Sequence, residues 1–309
     1  MATWLITGAT GFLGRHVLGL LEAGPARDSG EEDRVVAIGR SRPEAIPADR
    51  FVAADLAEPG PTSLAVRMVE PDFVIHAAGR TPPASDEEME RSNVVATAHV
   101  LGALRSLGKP VRVVLAGSAA ELGPVPEAEL PVGEDYPCRP DGAYGRSKLT
   151  ATLAGLSESA PLEVCCARVF NPIGPGMPAS QAFGDFAVRL AAPSTDPLEL
   201  AVGDLESRRD FIDVRDVAAA LIALAGRGKP GRAYHVGTGT SRSVREGLEC
   251  LIRLSGRTVR LHADPSRMWS RGPRDSRADT RRIREHTGWA PAIPFEQSLR
   301  ELWDALLLA

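Results

Sequence analysis

The chain lacks several features that would place it quickly. Its 309 residues carry no strong excess of either charge: 36 Lys and Arg stand against 40 Asp and Glu, a formal net charge of −4. No basic face is advertised for nucleic acid. No apolar run reaches the roughly 20 residues needed to span a bilayer. Met1 leads directly into a short apolar segment rather than a signal peptide, so a soluble cytoplasmic protein is expected. The four cysteines, Cys138, Cys165, Cys166 and Cys250, lack C-x-x-C spacing. Buried free thiols are therefore expected in preference to a disulfide or a zinc site. None of the six histidines has a partner at metal-site spacing. Internal repeats and low-complexity segments are also missing. What remains is a chain long enough to bury a large core as one domain or two joined lobes.

The most informative stretch runs from Thr3 to Gly14, T-W-L-I-T-G-A-T-G-F-L-G. Trp4-Leu5-Ile6 reads as a buried strand, Thr7-Gly8 opens a tight turn, and Phe12 begins a helix to about Ala23. Gly8, Gly11 and Gly14 have the spacing G-x-x-G-x-x-G. The first glycine permits the sharp turn, and the second lets backbone approach a pyrophosphate. The third removes a side chain where helix meets strand, and the helix N-terminus offers N–H groups and positive dipole. Three glycines alone are common in turns. Between an apolar strand and an amphipathic helix they point to a dinucleotide.

Strands and helices then alternate. Strands are expected at Val35–Ile38, Phe51–Ala54, Asp72–Ala77, Val111–Ala116 and Leu162–Arg168. Helices are expected over about Asp86–Leu107 and from near Tyr144. Such alternation demands a parallel sheet covered on both faces, an α/β doubly wound fold. From about Asn171 the chain is richer in proline and glycine. Its elements there are helices at Ala182–Leu190, Val214–Ala225, Ser243–Leu254 and Pro294–Leu308 and strands at Leu198–Val202 and Ala233–Val236. The expected division is a dinucleotide-binding domain over 1–170, with later segments returning to it, and a smaller substrate-binding lobe mainly over 171–309.

The end of the second strand selects the cofactor. A carboxylate there would accept hydrogen bonds from the adenosine ribose and repel a phosphate. The strand instead continues Gly39-Arg40-Ser41-Arg42. Arg40, with Arg42, can grip a 2′-phosphate through charge-assisted hydrogen bonds of about 1.5–3 kcal/mol each. NADP(H) is expected, the alternative being a solvated basic turn. Asp55 ends the third strand where adenine would lie, and His76-Ala77-Ala78-Gly79 ends the fourth beside the cofactor. His76 is a candidate base, although a histidine closing a buried strand is more often packed in place.

Ser118 follows the fifth strand, and Tyr144-Gly-Arg-Ser-Lys148 opens the next long helix. Residues four apart share one helix face. A nearby ammonium favours the phenolate and lowers a tyrosine pKa from about 10, while Ser118 can hydrogen-bond a carbonyl or alkoxide oxygen. This is equipment for hydride transfer with Tyr144 moving the proton, acid–base help of about 10²–10⁴ in rate.

Taken together, T-G-A-T-G-F-L-G, H-A-A-G, Ser118 and Y-G-R-S-K resemble the extended short-chain dehydrogenase/reductase family, most of which act on nucleotide sugars. The likeness continues through R-V-F-N-P-I-G-P-G (168–176), R-R-D-F-I-D-V-R-D-V-A (208–218) and T-G-W-A-P (287–291). It implies a Rossmann-type fold, with Ser118, Tyr144 and Lys148 as catalytic residues. The cofactor-binding residues it implies are Gly8, Thr10, Gly11, Phe12, Leu13, Gly14, Arg40, Asp55, Leu56, Ala77, Ala78 and Gly79, joined by Tyr144 and Lys148. Asn171 and Arg209 would meet the substrate's diphosphate, with Arg271 a third candidate and Ser118 at the keto oxygen. Asn93 matches a family asparagine that supports the catalytic water and helix geometry. A homodimer paired through the helices at 86–107 and from Tyr144 is also implied.

Within the family the likeness is to the GDP-4-keto-6-deoxy-D-mannose reductase branch, through the arginine after strand two and G-S-x-x-E-x-G at 117–123. That branch reduces a 4-keto group with NADPH. Ala119 and Ala120 stand where 4,6-dehydratases carry an acid pair, and Ala120 also replaces the cysteine of fucose-synthase relatives. Both chemistries are therefore disfavoured. Leu122 replaces an expected tyrosine, Glu121 keeps an acid nearby without an evident role, and Arg271–Asp275 has altered spacing. An epimerase with retained NAD and a non-catalytic nucleotide sensor remain as alternatives.

Overall fold

The computed structural model describes residues 1–24, 33–193, 196–267 and 274–308. The first half runs β1 (Thr3–Thr7), α1 (Phe12–Glu22), β2 (Arg34–Gly39), β3 (Phe51–Ala53), α2 (Pro59–Val69), β4 (Phe73–His76), α3 (Asp86–Met89), α4 (Ala96–Arg105), β5 (Val111–Ser118), α5 (Ala143–Leu156) and β6 (Leu162–Val169). The second half runs β7 (Asn171–Ile173), α6 (Ala182–Ala191), β8 (Leu198–Val202), β9 (Arg208–Arg209), β10 (Phe211–Asp213), α7 (Val214–Arg227), β11 (Ala233–Val236), β12 (Arg242–Ser243), α8 (Val244–Ser255), β13 (Val259–Ala263), α9 (Arg281–Thr287) and α10 (Phe295–Leu307). No helix among the described residues is long and apolar enough to cross a membrane.

Seven strands form one parallel sheet in the order β11-β6-β5-β4-β1-β2-β3. The period-two geometry of a strand sorts β1 between two cores. Trp4 and Ile6 join Val17 and Leu18 of α1 and Leu221 and Leu224 of α7, while Leu5 joins Val66 of α2 and Val100 and Leu104 of α4. Burial on both faces explains why these strands read as unbroken apolar runs. Strand order reverses at β1, so the C-terminal ends of β1 and β4 flank a crevice at the switch point.

The expected doubly wound parallel sheet is present. Strand β11, far along the chain, returns to the sheet edge beside β6. A second core lies among α6, α8, α10 and β8, with Phe183, Leu190, Leu200, Leu251 and Leu299 buried. Beside it, β7 pairs with β10, β9 with β12 and β8 with β13. The cysteines are free thiols, with Cys165 and Cys166 buried in β6 and pushed up to about 12 by burial.

Candidate active site

The turn after β1 shows why its glycines are glycines. Gly8 has φ +73°, and a Cβ there would lie 2.6 Å from the Ala78 nitrogen. A Cβ on Gly14 would run into the Gly8 carbonyl. Gly11 is the N-cap of α1 without a side-chain cap, so no capping side chain takes the first-turn N–H groups, which have no partner within the helix itself. Thr10 and Gly11 are exposed there, with Phe12 and Leu13 half-buried behind them. This cradle fits a pyrophosphate at a helix N-terminus. His16 reaches the Pro175 carbonyl at 3.0 Å, tying α1 to the Gly174–Gly176 turn.

On the opposite side of β1, Arg40 is exposed just past β2. Asp55 accepts from the Ala57 N–H at 3.0 Å and from Arg91 at 3.0 Å. Its carboxyl lies below the usual range, through that backbone bond first, then Arg91, with Arg40 adding a smaller charge effect. Leu56 is buried beside it. Ala77, Ala78 and Gly79 continue from β4 along the crevice.

His76 is not in the crevice. It is buried, with Nδ1 2.7 Å from the Thr7 hydroxyl and Nε2 3.0 Å from the Thr97 hydroxyl. Thr97 spends its one proton on the Asn93 carbonyl at 2.6 Å, so Nε2 must be the donor and Nδ1 the acceptor. Burial lowers the imidazole pKa to about 3. Neutral and doubly bonded, His76 is a structural tie, as its strand-closing position suggested.

The thread continues through Asn93, buried in a π-helical turn (Glu90–Val95) between α3 and α4. Such a bulge rotates one side chain out of the helical register. Asn93 accepts from the Arg80 N–H at 2.8 Å and donates to the Arg80 carbonyl at 3.0 Å and Ser147 Oγ at 2.9 Å. Ser147 in turn donates to the Tyr144 carbonyl. Thr7 and Thr97, which the sequence reading did not single out, thus join the glycine turn to the helix bearing Tyr144. The N-x-x-x-T spacing of Asn93 and Thr97 was the available signal.

Tyr144 and Lys148 share one face of α5 and are half-buried. The Ser118 hydroxyl lies near enough to the Tyr144 phenol to favour its ionised form. Burial raises the phenol above its ordinary value, Ser118 opposes this, and the Glu121 charge adds to it. The expected lowering by Lys148 is not what the protein alone displays. Lys148 is lowered by burial, against the pull of Glu121 and Cys166, and its ammonium lies beside Gly79, 4.0 Å from where a Cβ would sit. A neutral phenol held against a serine hydroxyl can deliver a proton to an alkoxide.

Asn171 donates through Nδ2 to the Asp210 carbonyl at 3.2 Å. Asp210 is fully buried and accepts from the N–H groups of Thr238, Gly239 and Ala278 and the Thr238 hydroxyl. That anchor fixes its neighbour Arg209, whose guanidinium burial pushes downward and whose surroundings include Asp204 and Asp275. Asn171 and Arg209 are thus brought to one place, whereas Arg271 lies outside the described residues.

Residues 4–237 match the model of the NAD dependent epimerase/dehydratase family. The chain is 32% identical to the dTDP-6-deoxy-L-talose 4-dehydrogenase (NAD(P)(+)) of Kitasatospora kifunensis, over 97% of this chain and 94% of that one. It is 34% identical to the GDP-6-deoxy-D-mannose reductase of Pseudomonas aeruginosa, over 76% of this chain and 81% of that one. Among solved structures it is similar to RMD from Pseudomonas aeruginosa complexed with NADPH, with a TM-score of 0.85, 29% identity, and coverage of 99% of this chain and 98% of that one.

Proposed function

This chain belongs to the NAD dependent epimerase/dehydratase family and is an NAD(P)-dependent oxidoreductase; from that premise we propose that it reduces the 4-keto group of a nucleotide-diphospho-4-keto-6-deoxyhexose, GDP- or dTDP-linked, with NADPH. The carrying observation is Tyr144 with Lys148 one helical turn on along α5, the Lys148 ammonium beside Gly79 just past the end of β4, and Ser118 near the phenol. The names of both relatives, which place a 6-deoxyhexose in the substrate, support the choice.

NADPH, when bound, supplies the hydride that the sugar's C4 receives. Ser118 orients the keto oxygen, and Tyr144 gives its phenolic proton to that oxygen as the C–H bond forms, so that C=O becomes CH–OH. Lys148 holds the nicotinamide ribose and stabilises the phenolate left behind. Gly8, Gly11 and Gly14 admit the pyrophosphate, with Thr10, Phe12 and Leu13 walling the turn. Arg40 takes the 2′-phosphate, and Asp55, Leu56 and Ala77–Gly79 line the adenosine and nicotinamide sides. Asn171 and Arg209 hold the substrate's diphosphate, for which a guanidinium fork is suited. A homodimer through α3, α4 and α5 belongs to the same reading, testable by light scattering.

The test is NADPH consumption with GDP-4-keto-6-deoxymannose and dTDP-4-keto-6-deoxyglucose in parallel, beside NADH. Turnover with one sugar and preference for NADPH are expected. No net consumption, with a nicotinamide cofactor retained through gel filtration, would replace this reading with an epimerase.

A further inference from the structure

Glu121 is completely buried, in the turn that leaves β5. Its Oε1 accepts from the Ser118 N–H at 2.8 Å and from the Thr152 hydroxyl of α5 at 3.0 Å, and its Oε2 pairs with Arg168 Nε of β6 at 2.9 Å. Arg168 is itself 5% exposed and donates onward to the Glu134 carbonyl. Gly117 makes room for this carboxylate: a Cβ there would lie 2.5 Å from Oε1. One acid therefore grips the backbone of Ser118 and the helix of Tyr144 and Lys148 at once. A buried ion pair of this kind is weak evidence of added stability, so its presence calls for another reason.

We infer that Glu121, with Arg168 as its counter-ion, is a positioning residue of the reaction: it sets the Ser118 hydroxyl against Tyr144 and stands as a fixed negative charge behind the Tyr144–Lys148 pair. The inference rests on the hydride-transfer reading of that pair. The groups facing Tyr144 are Ser118 and Glu121; those facing Lys148 are Glu121, Cys166 of β6 and His76 of β4. Around Glu121 itself stand Arg168, Thr152, Cys166 and Cys138. Cys166 and Cys138 are held as neutral thiols by burial, and His76 is neutral. Glu121 is thus the negative charge that both members of the pair sense. It favours the ammonium and resists the phenolate, keeping the tyrosine proton in place until an alkoxide needs it.

Glu121→Gln keeps the size and an acceptor for Ser118 but removes the charge. The Tyr144 ionisation is read on the protein alone, by ultraviolet difference titration with the Tyr144→Phe spectrum subtracted. We expect Glu121→Gln to move it to lower pH by about half a unit or more. We expect kcat to fall about tenfold or more with KM for NADPH and sugar nearly unchanged. Arg168→Met added to Glu121→Gln removes the unpaired cation; thermal stability should recover while the phenol titration stays displaced. A titration that does not move in either variant, or a kcat that recovers together with stability in the double variant, overturns the inference. If the wild type reduces neither keto-sugar, the reductase reading fails, while the phenol titration still reports on Glu121.

Discussion

Arg42 donates from Nη1 to the Ile46 carbonyl at 2.6 Å, which folds its guanidinium back onto its own loop. Arg40, two residues earlier, is exposed beside Asp55. The two arginines that look equivalent in Gly39-Arg40-Ser41-Arg42 are therefore unequal, one a loop fastener and the other presented past the strand end. Arg40→Ala is expected to raise KM for NADPH by about 10- to 100-fold, the worth of one charge-assisted bond, while leaving KM for NADH within a factor of two or three. Arg42→Ala should shift the NADPH value much less and lower the thermal midpoint instead. Equal effects of both substitutions on NADPH would show that the loop rearranges to use both.

The proposed role of Tyr144 as proton donor carries a directional pH signature. Burial holds the Tyr144 phenol above its ordinary value, so in the reducing direction the acid form is already full at neutrality. The kcat for keto-sugar reduction should be flat through neutral pH and fall only on the alkaline side, and the reverse oxidation should rise there. Tyr144→Phe is expected to cost about 10²–10⁴ in kcat with NADPH binding, followed by cofactor fluorescence, retained. Ser118→Ala should cost less, because it removes orientation and leaves the proton.

Much of this was legible in the chain. The glycine spacing after Trp4–Ile6, and Tyr144 four residues before Lys148, are local patterns whose geometry follows from the helix and strand periods alone. Short elements were not legible: β7 and β10 have three residues each, too few for any period to show. The helix Pro59–Val69 was hidden by its P-G-P start, although proline at the first helical position is itself a start signal. The role of Glu121 depends on Arg168, 47 residues away. A charged residue inside the apolar strand V-C-C-A-R-V demanded a partner, yet only the register of β5 and β6 says which.

His76 makes the fold sensitive to acid in a calculable direction. Its folded pKa of about 3 lies below the ordinary value of 6.5, so below 6.5 the unfolded chain binds the extra proton. Its contribution to stability is fully present above pH 6.5 and is lost as pH falls towards 3, at up to about 1.4 kcal/mol per pH unit. His235, also lowered to about 3 by burial, acts in the same sense. Urea midpoints measured from pH 7.5 to 4.5 should show the gap between wild type and His76→Gln narrowing with acidity, since glutamine offers a donor and an acceptor but does not titrate. A constant gap would mean that His76 is not held neutral.

Glycine in a helix interior normally costs about 1 kcal/mol relative to alanine, and two glycines test when packing reverses that sign. Around Gly19 of α1 an added Cβ meets nothing within 4 Å, so Gly19→Ala should stabilise by about 0.5–1 kcal/mol. Around Gly145 of α5 it would run into the Ala120 carbonyl, with the Pro140 side chain 2.9 Å away. A backbone carbonyl between Ser118 and Glu121 cannot yield without dragging that turn. Gly145→Ala should therefore destabilise by about 1–3 kcal/mol, the usual cost of overpacking, despite the gain in helix propensity. Because Tyr144 is the adjacent residue, the same substitution should lower kcat more than it raises either KM. Thermal midpoints and steady-state constants of the two variants check both halves. A stabilised Gly145→Ala with full activity would mean that α5 has room to lift from the sheet, and that its close approach is not what sets Tyr144 against Ser118.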